Sequence, residues 1–189
     1  MSEQKIADPG PLGLAGFAMT TFCLSTANAG LWKGAGVTAA LSLALIYGGL
    51  AQMLAGMWEF VRKNTFGALA FTSYGAFWIG LYILLKVPAV SSGIATDTVG
   101  IYLLAWTIFT LYVTVAAIKT STAILSLFVS LSVTFIFLTI GAWGAGHSGM
   151  TKIGGWLGLL TALLGWYASA AGVINETHGK VVLPVGPRG

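Results

Sequence analysis

Six apolar stretches, at residues 11–29, 35–58, 66–85, 98–118, 123–143 and 153–174, fill most of the chain, and none carries a charge at its centre. A helix rises about 1.5 Å per residue, so about 20 residues cross a hydrocarbon core of roughly 30 Å. Inside that core no water satisfies backbone N–H and C=O groups, so each stretch must be helical. The expectation is an all-α integral membrane protein with six transmembrane helices per protomer. Residues 1–10 form a polar leader, 11–176 the six-helix transmembrane domain, and 177–189 a short cytoplasmic tail that is irregular after Pro184 and Pro187.

Charged residues make up 7% of the chain and hydrophobic residues 57%, which excludes an ordinary soluble domain. The net charge of +4 does not point to nucleic acid, because the basic residues sit singly at helix ends. Their distribution sets orientation instead. Lys5, Arg62, Lys63, Lys119, Lys180 and Arg188 fall on one side of a six-span arrangement, and Lys33, Lys86 and Lys152 on the other. Six against three places both termini in the cytoplasm and the protein in the cell (plasma or inner) membrane.

Lys5 before an apolar run and the pattern Ala27-Asn28-Ala29 resemble a cleavable signal. Glu3, Asp8, Pro9 and Pro11 in the leader argue for a retained first helix. Pro11 fits a first helical turn, where its missing N–H costs nothing. The single Cys23 lies inside that helix and reads as packing. Short connections at 30–34, 62–65, 86–97, 119–122 and 144–152 make sequential helices antiparallel neighbours and leave no room for a soluble catalytic lobe.

Twenty-six glycines are many for 189 residues. Gly48, Gly49, Gln52, Gly56 and Glu59 lie near one face of the second stretch, and Gly158, Gly165 and Gly172 recur at heptad spacing on the sixth. Small residues let helix backbones approach closely in lipid. The alternatives are tight packing, within or between subunits, and a glycine-lined pore wall. Glu59 and Glu176 both follow glycines, a likeness too weak to establish an inverted repeat.

Enzyme signatures are weak. Gly146-His147-Ser148-Gly149 matches a G-x-S-G pattern, but a serine nucleophile needs a base on another element, and His178 falls on the opposite side of the membrane. No metal-ligand spacing or cofactor motif stands out, so the expectation is no enzyme and no cofactor. What remains are neutral polar and aromatic stripes. Counting about 100° per residue puts Phe17, Thr21, Leu24 and Asn28 on nearly one face of the first helix. Tyr74, Trp78 and Leu81 make a second stripe, with Ser73 and Phe77 beside it. Ser130, Leu131 and Thr134 cluster on the fifth helix. Singly, each of these residues reads as core packing or an interhelical hydrogen bond. Together they suit a narrow path. A permanently charged solute would need compensation at mid-membrane that this chain lacks. A small neutral solute, or a weak acid transiently protonated, fits. A sugar, nucleotide or metal ion does not.

The start Asp8-Pro9-Gly10-Pro11-Leu12-Gly13-Leu14 resembles the N-P-[AG]-P-L-G-L signature of the acetate uptake transporter family, which includes the succinate–acetate permeases. The likeness continues through Gly16-Phe17-Ala18-Met19-Thr20-Thr21, Tyr47-Gly48-Gly49-Leu50-Ala51-Gln52, Asn64-Thr65-Phe66-Gly67, Phe71-Thr72-Ser73-Tyr74-Gly75, Asn175-Glu176 and Leu183-Pro184. It implies six helices per protomer, a homohexamer in the lipid bilayer, and passage of acetate and, in some members, succinate, by symport or as an anion channel. It further implies a hydrophobic constriction of Phe17, Tyr74 and Leu131. Asp8 stands where the family usually has Asn, and Gly172 where some relatives are acidic.

The reading is therefore a transporter or channel for acetate and similar monocarboxylates, with Thr20, Thr21, Asn28, Tyr47, Gln52, Ser73 and Trp78 as polar groups along the route. The alternatives are an ammonia or other small-solute channel and a non-conducting structural membrane protein.

Overall fold

The computed structural model describes residues 6–93, 97–143 and 148–187, which excludes Lys5, His147 and Arg188. Among the described residues the chain is all-helical: α1 (Gly10–Asn28), α2 (Lys33–Leu45), a π-helical segment (Ile46–Ala51), α3 (Gln52–Val61), α4 (Thr65–Lys86), the single turn α5 (Pro88–Ser91), α6 (Thr98–Ala117), α7 (Thr122–Ala142) and α8 (Ser148–His178). Five helical runs are long and apolar enough to cross a membrane: 33–61 as one run, 65–86, 98–117, 122–142 and 148–178. The 19-residue α1 is slightly less apolar, because glycine, threonine and serine make up much of it.

The helices begin and end where local chemistry permits. Pro11 lies in the first turn of α1. Asn64 caps α4, its Oδ1 accepting from Gly67 N at 3.1 Å. Ser121 caps α7, its Oγ accepting from Ile124 N at 3.2 Å. The next donors of α7, Thr122 N and Ala123 N, go to the carbonyls of Gly186 (2.7 Å) and Val185 (3.0 Å), so the chain's end completes that cap. Residues 179–187 are non-helical yet pinned: Asn175 Oδ1 accepts from Val182 N and Leu183 N at 2.7 and 2.9 Å. Tyr167 also donates to the Pro184 carbonyl at 2.6 Å. The last helix begins five residues before the apolar stretch and ends four beyond it, because hydropathy marks the part facing lipid, not where hydrogen bonding stops.

α1 is central, packed along α8 and against α2, the π segment, α3 and α4. α7 lies on α8, and α6 on α7. The glycine stripe of α8 provides the seat. A Cβ on Gly155 would lie 2.2 Å from Ala29 N, on Gly158 2.2 Å from Ser25 Oγ, on Gly165 3.1 Å from the Ala18 Cβ, and on Gly172 2.7 Å from Pro11 Cγ. This stripe packs helices within one chain. On the other flank of α1, a Cβ on Gly48 would meet Thr20 Oγ1 at 2.3 Å.

Buried hydroxyls knit the remaining helices. Thr107 meets Thr139 at 2.8 Å, Thr114 meets Ser132 at 2.7 Å, and Ser130 meets Thr161 at 2.8 Å. Several of these threonines also donate to the carbonyl four residues back, which satisfies them without water. Outward-facing residues such as Ile101, Ile108, Val115, Trp58 and Leu163 are exposed, giving an apolar exterior.

Gly155→Leu should prevent the α1–α8 approach and cost about 3 kcal/mol or more, whereas Gly149→Ala, with open space around it, should be neutral. Thermal unfolding of both variants in detergent checks this; equal melting temperatures would contradict the packing.

Candidate functional site

Two cavities lie along the inside of the helix ring. The first, about 320 Å³, is at the N-terminal end of α1 and is lined on its polar side by Asp8, Gln52, Glu59, Arg62, Asn64 and Ser121. The second, about 230 Å³, is towards the C-terminal end of α1, and its polar lining is neutral: Thr21, Ser25, Asn28, Trp78, Thr134 and Thr151. Three residues line both: Phe17, Tyr74 and Leu131. Their exposures are 5%, 2% and 3%.

Tyr74 is held in place by rings and by a hydroxyl. The Phe17 and Tyr74 rings lie 5.8 Å apart at 57°. Tyr74 packs edge-on against Phe109 at 5.4 Å and beside Phe128 and Trp106 at 6.1 Å. Its hydroxyl meets Thr110 Oγ1 at 2.9 Å, while Thr110 donates its own proton to the Trp106 carbonyl at 2.7 Å. A hydroxyl has one proton, so Tyr74 is the donor of that pair. Its polar end is therefore spent, and the ring is what it presents to the path.

Of the polar residues expected along the route, Thr21, Asn28 and Trp78 line the second cavity and Gln52 the first. Three line neither. Thr20 is fully buried against Gly48, its hydroxyl donating to the Gly16 carbonyl at 2.9 Å. It sits about 100° around the helix from Thr21 and faces the π segment. Tyr47 lines a separate open hollow of about 590 Å³ with Pro11, Ser169 and Glu176. The π segment adds a residue to its turn and so shifts the face expected of a regular helix. Ser73 is half-buried one position from Tyr74 and lines none of these spaces. On α7 only Leu131 faces both cavities; Thr134 lines the second, and Ser130 is spent on Thr161. Among the described residues, Thr21 Oγ1, Gln52 Oε1, Thr72 Oγ1 and Trp78 Nε1 are buried without a partner, an unusual state for polar atoms. Thr21, Gln52 and Trp78 line the cavities, whereas Thr72 lines neither.

The charged end of the first cavity was not legible as a site. Glu59 is 2% exposed, and its Oε2 accepts from Asn64 Nδ2 at 3.0 Å. Gly67 and Gly10 leave it room: added Cβ atoms there would fall 2.9 and 3.6 Å from its Oε1. Asp8 Oδ1 accepts from Gly10 N at 2.9 Å and forms an ion pair with Arg62 Nη1. The one available signal was the Asn64-Thr65-Phe66-Gly67 run, whose first residue both caps α4 and satisfies Glu59.

Residues 1–187 match the GPR1/FUN34/yaaH family. The succinate-acetate/proton symporter SatP of Escherichia coli (strain K12) is 39% identical over 188 residues, covering 98% of either chain. Acetate permease A of Emericella nidulans is 36% identical over 201 residues, covering 98% of this chain and 67% of that one. A solved structure of the bacterial acetate channel SatP superposes with a TM-score of 0.89 at 39% identity, covering 96% of this chain and all of that one.

Asn64→Ala should remove the α4 cap and strand the Glu59 carboxylate, costing about 2–4 kcal/mol. Asn64→Ser should recover the capping share alone. Melting temperatures in detergent should rank wild type, then Ser, then Ala; an Ala variant as stable as wild type would refute this role.

Proposed function

This chain belongs to the GPR1/FUN34/yaaH family, and on that footing we propose that it is a multi-pass membrane protein passing acetate and similarly small monocarboxylates. The observation that carries the reading is that, among the described residues, Phe17, Tyr74 and Leu131 are the only side chains common to the two cavities. They act as a hydrophobic constriction between two wet vestibules. It is no enzyme: its chemistry is selection and dehydration.

The solute leaves the first vestibule past Gln52 and meets three apolar surfaces. Among the described residues no charged side chain lines the constriction or the second cavity, so a bare anion gains no compensating charge from them there. Size and desolvation decide what passes. The methyl group of acetate tolerates Phe17 and Leu131. The carboxyl head finds amide, hydroxyl and indole groups at Asn28, Thr21 and Trp78 on the far side. Dry amide and hydroxyl partners interact more strongly with a carboxyl group than exposed ones do. Thr20, Tyr47 and Ser73 take no part in this route.

In the same reading α1 is the sixth span. Its small polar residues are shielded by the surrounding helices, as the nine residues it buries indicate. With an even number of spans both termini lie on one side, and the excess of Lys and Arg on that side assigns it to the cytoplasm, so the first vestibule opens inward. The leader is 1–10, the transmembrane domain 11–176 and the tail 177–189. The apolar exterior serves lipid and the contacts of a homohexamer, with one path per protomer.

Radiolabelled acetate uptake into proteoliposomes, with and without an imposed pH gradient, tests the reading. Saturable uptake above protein-free liposomes is expected; uptake at the empty-liposome level would overturn it. Leu131→Ala should widen the constriction and raise the lactate-to-acetate uptake ratio by about tenfold or more. An unchanged ratio in a folded variant would remove Leu131 from the constriction.

A further inference from the structure

Among the described residues Arg62 is the one cationic side chain lining the first cavity, where it stands among Asp8, Glu59 and Asn64. Its guanidinium is engaged by the chain's own carboxylate: Nη1 donates to Asp8 Oδ1, and the same oxygen accepts from the backbone N–H of Gly10 at 2.9 Å. A carboxylate is thus already seated at the mouth of this cavity, held by a guanidinium at the end of α3 and by a backbone N–H in the first turn of α1. Acetate carries the same head group. Resting on the transport reading above, we propose that Arg62 is an entry site for the solute's carboxylate, competitively occupied by Asp8 in the resting chain.

The seat is exchangeable. The two side chains are 33% and 40% exposed, so the pair is hydrated and weak. Asp8 reaches Arg62 from a residue two places before the first turn of α1, so its advantage is that of a tethered competitor, not of a buried partner. Glu59 is the other charged neighbour, and it stays committed to Asn64. With Asp8 in place the mouth presents two carboxylates against one guanidinium, which disfavours an arriving anion. With Asp8 displaced, the guanidinium faces the vestibule unshared. Asp8 and Arg62 therefore set how strongly the mouth competes for acetate, while the constriction sets what passes.

Acetate affinity of the full chain in detergent, measured by titration calorimetry, tests this together with uptake into proteoliposomes. Asp8→Asn keeps an oxygen for the Gly10 N–H and removes the charge on Arg62, so the acetate Kd should fall roughly two- to fivefold. Arg62→Gln should raise it, and Arg62→Lys should retain part of the affinity because the positive charge survives. Asp8→Asn placed on Arg62→Gln should add nothing further, since the site competed for is gone. A Kd at the wild-type value in Asp8→Asn, or the same gain from Asp8→Asn with and without Arg62, overturns the entry site while leaving acetate transport standing. If Asp8→Asn fails to fold, Arg62→Gln and Arg62→Lys decide alone: equal wild-type affinity in both overturns the proposal. Wild-type protein with neither uptake nor binding sinks the transport reading, and the entry site with it.

Discussion

The path depends on how closely α1 can approach α8. α1 carries Phe17, which lines both cavities, and Thr21 and Asn28 of the second cavity, yet it has little side-chain bulk with which to anchor itself. The glycines of α8 let the two backbones meet at Gly155 and Ala29 and keep contact as far as Pro11 at the other end. Helix association in lipid gains little from excluding apolar surface, because the tails are apolar too. Close van der Waals packing must supply the force. A side chain added anywhere on that stripe would push Phe17 away from Tyr74 and open the space between the cavities.

The opposite wall is held by different means. Tyr74 of α4 sits against rings on α6 and α7, and its hydroxyl is tied to Thr110, whose own proton is tied to a carbonyl. That chain of donors fixes the ring's position and removes its one proton from use. The hydroxyl pairs Thr107–Thr139, Thr114–Ser132 and Ser130–Thr161 hold α6, α7 and α8 in the same way. Polar residues in this bundle fall into two kinds. Most are satisfied by other helices and act as fasteners. Thr21, Gln52 and Trp78 line the cavities and keep a buried atom unpaired.

How much of this was legible in the sequence follows from which signals are periodic. A regular turn of about 100° per residue puts Phe17, Thr21, Leu24 and Asn28 on one face, and all four line the second cavity. The same counting does not say which of two adjacent residues faces inward, so Thr20 was grouped with Thr21 and Ser73 with Tyr74. It also assumes a regular helix. The π segment breaks that assumption at Tyr47, and no residue there announces the change except the Gly48-Gly49 pair. The glycine heptad was visible as a packing face, while its partner was not. The Asp8–Arg62 pair joins residues 54 positions apart, beyond any local pattern. The ends of the apolar stretches fall within a few residues of the ends of helical runs, except on α8, where polar turns continue the helix past the apolar part, while the second stretch divides into α2, the π segment and α3.

The two cavities differ in kind, and the difference has a physical origin. Charged side chains reach the first cavity because it lies where helices end, and Asp8, Glu59 and Arg62 can meet solvent, an N–H or one another there. The second is bounded by residues further inside the bundle, where an unpaired charge would be expensive and only amides, hydroxyls and rings are tolerated. In the proposed route, a solute crossing from one to the other exchanges attraction by charge for recognition by hydrogen bonding, and the exchange takes place at three side chains that offer neither. A constriction placed at that boundary would not need to bind its solute. It would need only to cost less for a small carboxylic acid than for anything larger or more strongly hydrated, a difference that the proposal assigns to the size and dryness of Phe17, Tyr74 and Leu131.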